Sequence, residues 1–213
     1  MLFRSRDLFS SEALRPGESI SVERLTILFT DLKGSTSMYQ TVGDAPAFRQ
    51  VMDHFGILRD GVIRNQGALV KTIGDAIMAV FSDPAHAVQG AFDIMKRIQE
   101  YNLDHPASPL VLKMGIHQGA CIAVTLNERL DYFGTVVNLA SRLEGQSQGN
   151  DVVISEAIAT DPAILELLNT GQFKMTPFTA NLKGFADDYS LHRLTIAGNA
   201  AQTVAATSNI VTV

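Results

Sequence analysis

Apolar residues along this chain follow two rhythms, continuous short runs and helical steps of three and four. "LTILFT" at Leu25–Thr30 is apolar on both faces, which predicts a strand in the middle of a sheet. From Asp44 the rhythm changes. Phe48, Val51, Met52, Phe55, Leu58 and Val62 form the stripe of an amphipathic helix, with Asp44 read as its N-cap and Pro46 in its first turn. Asn65–Gly67 ends it. "ALVKTI" and "AIMAVF" then flank Gly74-Asp75, two strands around a tight hairpin. Pro84 opens a second long helix reaching about Asn102, and "LVLKMGIH" supplies the next strand.

That order is βαββαβ, a ferredoxin-like core of the α+β class, with an antiparallel sheet and two helices on one face. A C-terminal αβ extension follows: a helix over about 134–143, a strand at "DVVIS", a helix near 162–168, and strands near 173–176 and 189–194. Residues 1–21 read as an N-terminal segment broken by Pro16-Gly17, and 22–196 as the domain. The tail over 197–213 lacks periodicity and is expected to be poorly ordered.

Composition narrows the function classes. The 213 residues are 46% hydrophobic and 18% charged, enough for one sizeable core. A net charge of −5 argues against a nucleic-acid surface, so any phosphate must be met by a few local groups. No apolar run has the length of a membrane span, and the start lacks a signal-peptide core. The single cysteine, Cys121, rules out an internal disulfide framework and fits a reducing, cytoplasmic setting.

Three clusters could carry chemistry. Asp31 ends the first strand and Asp75 sits in the hairpin turn; strands one and three of a βαββαβ sheet are neighbours, so the carboxylates can meet at one edge. Two such groups repel unless a cation lies between them, and Mg²⁺ or Mn²⁺ suits carboxylate and phosphate oxygens. The bland alternative keeps Asp31 as a helix cap and Asp75 as a turn acid. Gly34-Ser35-Thr36 could bring backbone N–H groups to a phosphate, although Ser35 or Thr36 as a plain N-cap is the better reading. In "LDYFGTVVNLASRLEG", Asn138 and Arg142 are four apart on one helix face and can reach one ligand, the arginine gripping a phosphate bidentately. An exposed, solvated pair is the alternative there. His117 reads as a core or interface residue and not a metal ligand, and Cys121 as a small core residue.

Taken together, "ILFTDLKGST", "GALVKTIGDAIMAVF", "LKMGIHQGACIA", "LDYFGTVVNLASRLEG" and "LKGFADDYSLHRL" resemble, in order, the catalytic domain of class III nucleotidyl cyclases. The resemblance implies that Asp31, Asp75 and the Leu32 carbonyl hold two Mg²⁺ or Mn²⁺ ions. Asn138 would orient the ribose, and Arg142 would bind the α-phosphate during in-line attack by the 3′-hydroxyl. Lys71 and Asp131 match the purine-reading positions; a lysine donates and an aspartate accepts, which suits N1 and N6 of adenine and names ATP. Lys183 would touch the outer phosphates, or remain a solvated lysine. The family works as a head-to-tail homodimer, with Asp31 and Asp75 from one subunit and Lys71, Asp131, Asn138 and Arg142 from the other. An adenylate cyclase making 3′,5′-cyclic AMP is therefore expected. The alternatives are a silent nucleotide-binding or dimerisation module and a guanylate cyclase. Relatives usually carry a sensor, so a regulatory domain upstream is expected if this chain is part of a longer protein.

Overall fold

The computed structural model describes residues 19–126 and 129–197; the expectations for the first residues and for the tail fall outside them. The first strand, β1, spans Ser19–Leu32; it starts well before the apolar run and carries a bulge between Val22 and Leu25. A short helix absent from the pattern reading, α1 (Ser35–Val42), follows; it buries no residue and so left no apolar stripe. Helix α2 (Asp44–Arg64) begins as expected, except that Gly43 and not Asp44 is its N-cap. Hairpin strands β2 (Ala68–Ile73) and β3 (Ala76–Phe81) match the predicted runs. In α3 (Pro84–Asp104) the Asp83 carboxylate caps the helix by accepting the Ala85 N–H at 2.8 Å.

Beyond α3, β4 runs the length of Leu112–Leu126 and pairs over its last third with β5 (Arg129–Phe133). Helix α4 (Thr135–Gly145), strand β6 (Asp151–Ser155), the single turn α5 (Glu156–Ala159) and helix α6 (Pro162–Asn169) lead to a closing hairpin, β7 (Phe173–Asn181) and β8 (Asp188–Ile196). One sheet takes the order β2-β3-β1-β4-β6-β8-β7, with β5 on β4. Its first four strands are antiparallel in the ferredoxin-like order, and β1 lies beside β3 as expected.

The two sheet faces do different jobs. On one, α2 and α3 bury Leu58, Val62, Phe92, Ile94 and Met95 against Leu28, Ile77 and Met114, the largest apolar cluster. On the other, α4 and the curled end of β4–β5 cover β1 and β3, burying Tyr132, Cys121 and Val136 against Leu25, Ile27 and Met78. Glycine makes the α4 contact possible: a methyl at Gly115 would fall within 2.7 Å of the Glu144 Cα. No helix among the described residues is long and apolar enough to cross a membrane.

Candidate active site

Thr30 of β1 pairs with Ile77 of β3, so Asp31, one residue further, emerges beside the hairpin turn that carries Asp75. Gly74, at φ 63°, supplies the left-handed residue this turn needs. Burial, and after it the Asp75 charge, raises the Asp31 carboxyl above the usual range; Lys113 and the Leu32 N–H pull the other way. Oδ2 of Asp75 is buried without a hydrogen-bond partner. Such an oxygen beside a second carboxylate is poorly served by protein alone and fits a hard divalent cation. Asp31, Asp75 and the Leu32 carbonyl could hold one, with water and phosphate oxygens filling the shell, since no cluster of three or more side-chain ligands gathers among the described residues.

Three side chains near this edge were missed by the sequence reading. Lys113 lies directly across from Asp31 in the β1–β4 register and donates to Glu144 of α4 at 2.8 Å. Both are mostly covered, at 19% and 16% exposure. Burial raises the Glu144 carboxyl; Lys113 opposes this, while Asp31 and Asp75 add to it. His54 of α2 is fully buried, and the Val51 backbone one turn earlier is its polar neighbour. Burial lowers its pKa to about 4, with the Asp75 charge pulling upward. The signals were present: a lone charge inside "LVLKMGIH", and a histidine on the apolar stripe of α2, three after Val51 and four before Leu58.

The second group forms where β5 curls back over the sheet. Lys71 Nζ donates to both carboxylate oxygens of Asp131, at 2.8 and 2.7 Å. Asp131 Oδ1 also accepts the Tyr132 N–H at 2.8 Å. An ammonium has three N–H donors, so one remains for a ligand, and Oδ2 keeps a lone pair. The pair thus offers one donor and one acceptor while still tied together.

The third group is on α4. Asn138 and Arg142 are both exposed, one turn apart, while Val136, Leu139 and Leu143 bury the opposite side. Arg142 Nε donates to the Lys183 carbonyl at 3.1 Å, and no hydrogen bond or ion pair among the described residues occupies its terminal nitrogens. The Lys183 side chain is exposed. Gly34, at φ 77°, is itself the N-cap of α1, correcting the expectation that Ser35 or Thr36 would cap it; Ser35 is the first helical residue. As expected, Cys121 is buried in the core. His117 is bonded through Nδ1 to Ser155 Oγ at 2.7 Å.

Within one chain the predicted residues therefore assemble as separate groups. Asp31 joins Asp75, Lys71 joins Asp131, and Arg142 joins the Lys183 backbone. No hydrogen bond among the described residues links Asn138 or Arg142 to the carboxylate edge.

The family model described as the adenylate and guanylate cyclase catalytic domain matches residues 18–192. An adenylate cyclase from Anabaena cylindrica is 32% identical over 153 residues, covering 65% of this chain and 30% of that protein. The chain thus spans under a third of that relative's length. Among solved structures, the adenylyl cyclase CyaB from P. aeruginosa superposes with a TM-score of 0.71 at 22% identity, over 84% of this chain and 96% of that one. The guanylate cyclase domain of RhGC from Catenaria anguillulae, in complex with GTP, gives 0.71 at 21% identity, over 84% and 99%. At these identities the structural likeness is one of fold.

Proposed function

The chain belongs to the adenylate and guanylate cyclase catalytic domain family, and on that premise we propose that it is an adenylate cyclase. It converts ATP to 3′,5′-cyclic AMP and pyrophosphate, at sites completed by a head-to-tail homodimer. The observation that carries the choice of ATP is the Lys71–Asp131 pair, whose spare donor and spare acceptor match N1 and N6 of adenine. Guanine reverses that polarity at N1 and O6, a mismatch worth up to about 10⁴–10⁵ in well-built sites.

Asp31 and Asp75, with the Leu32 carbonyl, would hold two divalent cations. When bound, these supply Lewis-acid activation of the 3′-hydroxyl and neutralise the triphosphate. Asn138 of the second subunit holds the ribose so that its 3′-oxygen points at the α-phosphorus. The terminal nitrogens of Arg142, already aimed by the Lys183 carbonyl, grip the α-phosphate as its negative charge builds. The 3′-oxygen forms its bond to phosphorus, the bond from phosphorus to the β-bridging oxygen breaks, and the 3′-proton leaves to water. The N–H groups of the Gly34-Ser35-Thr36 turn and the exposed Lys183 face the outer phosphates. The exposed face on which α4 carries Asn138 and Arg142 supports the dimer. So do Ile73 and Phe133, at 50% and 45% exposure, two residues from Lys71 and Asp131 respectively.

Incubation with Mn²⁺ or Mg²⁺ and either ATP or GTP, with the product identified by chromatography, tests the reading. Cyclic AMP from ATP is expected, with specific activity collapsing on dilution. Cyclic GMP as the main product would make it a guanylate cyclase; ATP binding without pyrophosphate release would make it a silent module.

A further inference from the structure

The carboxylate edge contains more charge than two aspartates. The Asp75 charge acts on Asp31, both act on Glu144, and one ammonium, Lys113, stands among them. Its backbone faces Asp31 across the β1–β4 ladder, yet its hydrogen bond goes to Glu144. A lysine head on a four-carbon stem turns easily, so which carboxylate it serves depends on the competition between them. Glu144 is placed to win. It is fixed from behind, because α4 packs its backbone against the bare Cα of Gly115, and its carboxylate is as covered as the lysine.

We propose that Glu144 is a positioning residue that keeps the Lys113 ammonium off Asp31, so that the aspartate pair stays open to a divalent cation. This rests on the reading of Asp31 and Asp75 as metal ligands. Two carboxylates flank Lys113 in the sheet register, Asp151 on β6 and Asp31 on β1; Asp151 is already paired with Arg193, so without Glu144 the lysine turns toward Asp31 and the partnerless Asp75 Oδ2. An ammonium there takes the place and the charge-balancing role of the metal. The same helix presents Arg142 on its exposed side, two residues away, so one element serves both the metal edge of its own chain and the α-phosphate grip of the second site.

Mn²⁺ binding to the nucleotide-free full chain, read from the paramagnetic resonance signal of the free ion, tests this without turnover. Glu144→Gln is expected to weaken binding about 10- to 100-fold, the usual scale for a partner outside the ligand set. Lys113→Met should bind at least as tightly as wild type, and the double variant as tightly as Lys113→Met alone, because Glu144 acts through the lysine. The proposal is overturned if Glu144→Gln binds as well as wild type. It is also overturned if the glutamine weakens binding equally in the Lys113→Met background, which would mean that Glu144 attracts the metal directly. The double variant leaves neither half of the pair unmatched, so its comparison with Lys113→Met decides the matter even where Glu144→Gln alone unfolds. Asp31→Ala with Asp75→Ala serves as the control. Were that control to bind like wild type, or wild type not to bind at all, the metal reading would fall and this proposal with it. Failure of the glutamate prediction alone leaves the metal reading standing.

Discussion

Two corners of this molecule are built from the same chemistry and left in opposite states. At one, Lys71 and Asp131 satisfy each other at 2.7–2.8 Å, with the Tyr132 N–H as an added donor. At the other, Asp31 and Asp75 push on each other, and one buried oxygen has no partner. The first corner is satisfied within the chain, and in the proposed function it would only have to read the base edge. The second leaves like charges together with an unpartnered oxygen, a deficit that the proposed cation would relieve. A folded chain tolerates that deficit because β1 is anchored elsewhere: Leu25, Ile27 and Leu28 are at most 1% exposed.

The contrast can be broken most sharply at the incomplete corner. Asp31→Ala or Asp75→Ala is expected to abolish cyclic nucleotide formation, checked with saturating Mn²⁺ so that weakened affinity cannot hide as lost chemistry. A variant with near wild-type turnover at the same metal concentrations as wild type would show that the edge does not hold the ions. Arg142→Ala should come next, lowering kcat about 10²–10³ as expected for one lost transition-state donor. A near-unchanged kcat with raised KM would move Arg142 from the reacting phosphate to ground-state binding.

At the complete corner the sharper variant keeps the pair and reverses it. Lys71→Asp with Asp131→Lys preserves the ion pair but exchanges donor and acceptor. The ratio of kcat/KM for ATP over GTP should fall about 10²-fold or more, the scale of a site turned against its substrate's hydrogen-bond pattern. An unchanged ratio would mean that other groups read the base.

The sequence exposed the complete strands of this architecture and hid its connections. Central strands and the first long helix were legible because burial writes a period into them: β2 and β3 match their apolar runs, and α2 its stripe, while Pro84 marked the start of α3. Helix α1 buries nothing, and β5 is a five-residue ribbon paired on one side, so neither leaves a period. The same logic divides the site. Asp31 and Asp75 stood out as charges at the ends of apolar runs, and their neighbourhood followed from strand order alone. Lys71 and Asp131 are 60 residues apart on strands that meet only because β4–β5 curls over the sheet, so family resemblance and not spacing paired them. Lys113 and Glu144 needed the register of β4 and the close approach of α4 at Gly115, which no local pattern encodes.

The mildest test asks whether the incomplete corner carries a cost in the metal-free protein. The folded chain raises the Asp31 carboxyl above its ordinary value of 3.8, so the folded state holds this proton longer than the unfolded one. Stability from this group is therefore fully present at pH below 3.8 and is lost as pH rises through the folded value. By neutral pH the ionised carboxylate opposes folding unless a cation joins it. Asp31→Asn keeps the shape and removes that charge. In chelator, its melting temperature should exceed wild type by about 2–4 °C at pH 7, the response of a domain this size to roughly 1 kcal/mol, and the gap should close toward pH 4. Added Mn²⁺ should raise the wild type and leave Asp31→Asn unmoved. Equal melting temperatures in chelator at pH 7 would mean that the two aspartates are accommodated without penalty, and the contrast between the corners would then lie only in what they bind.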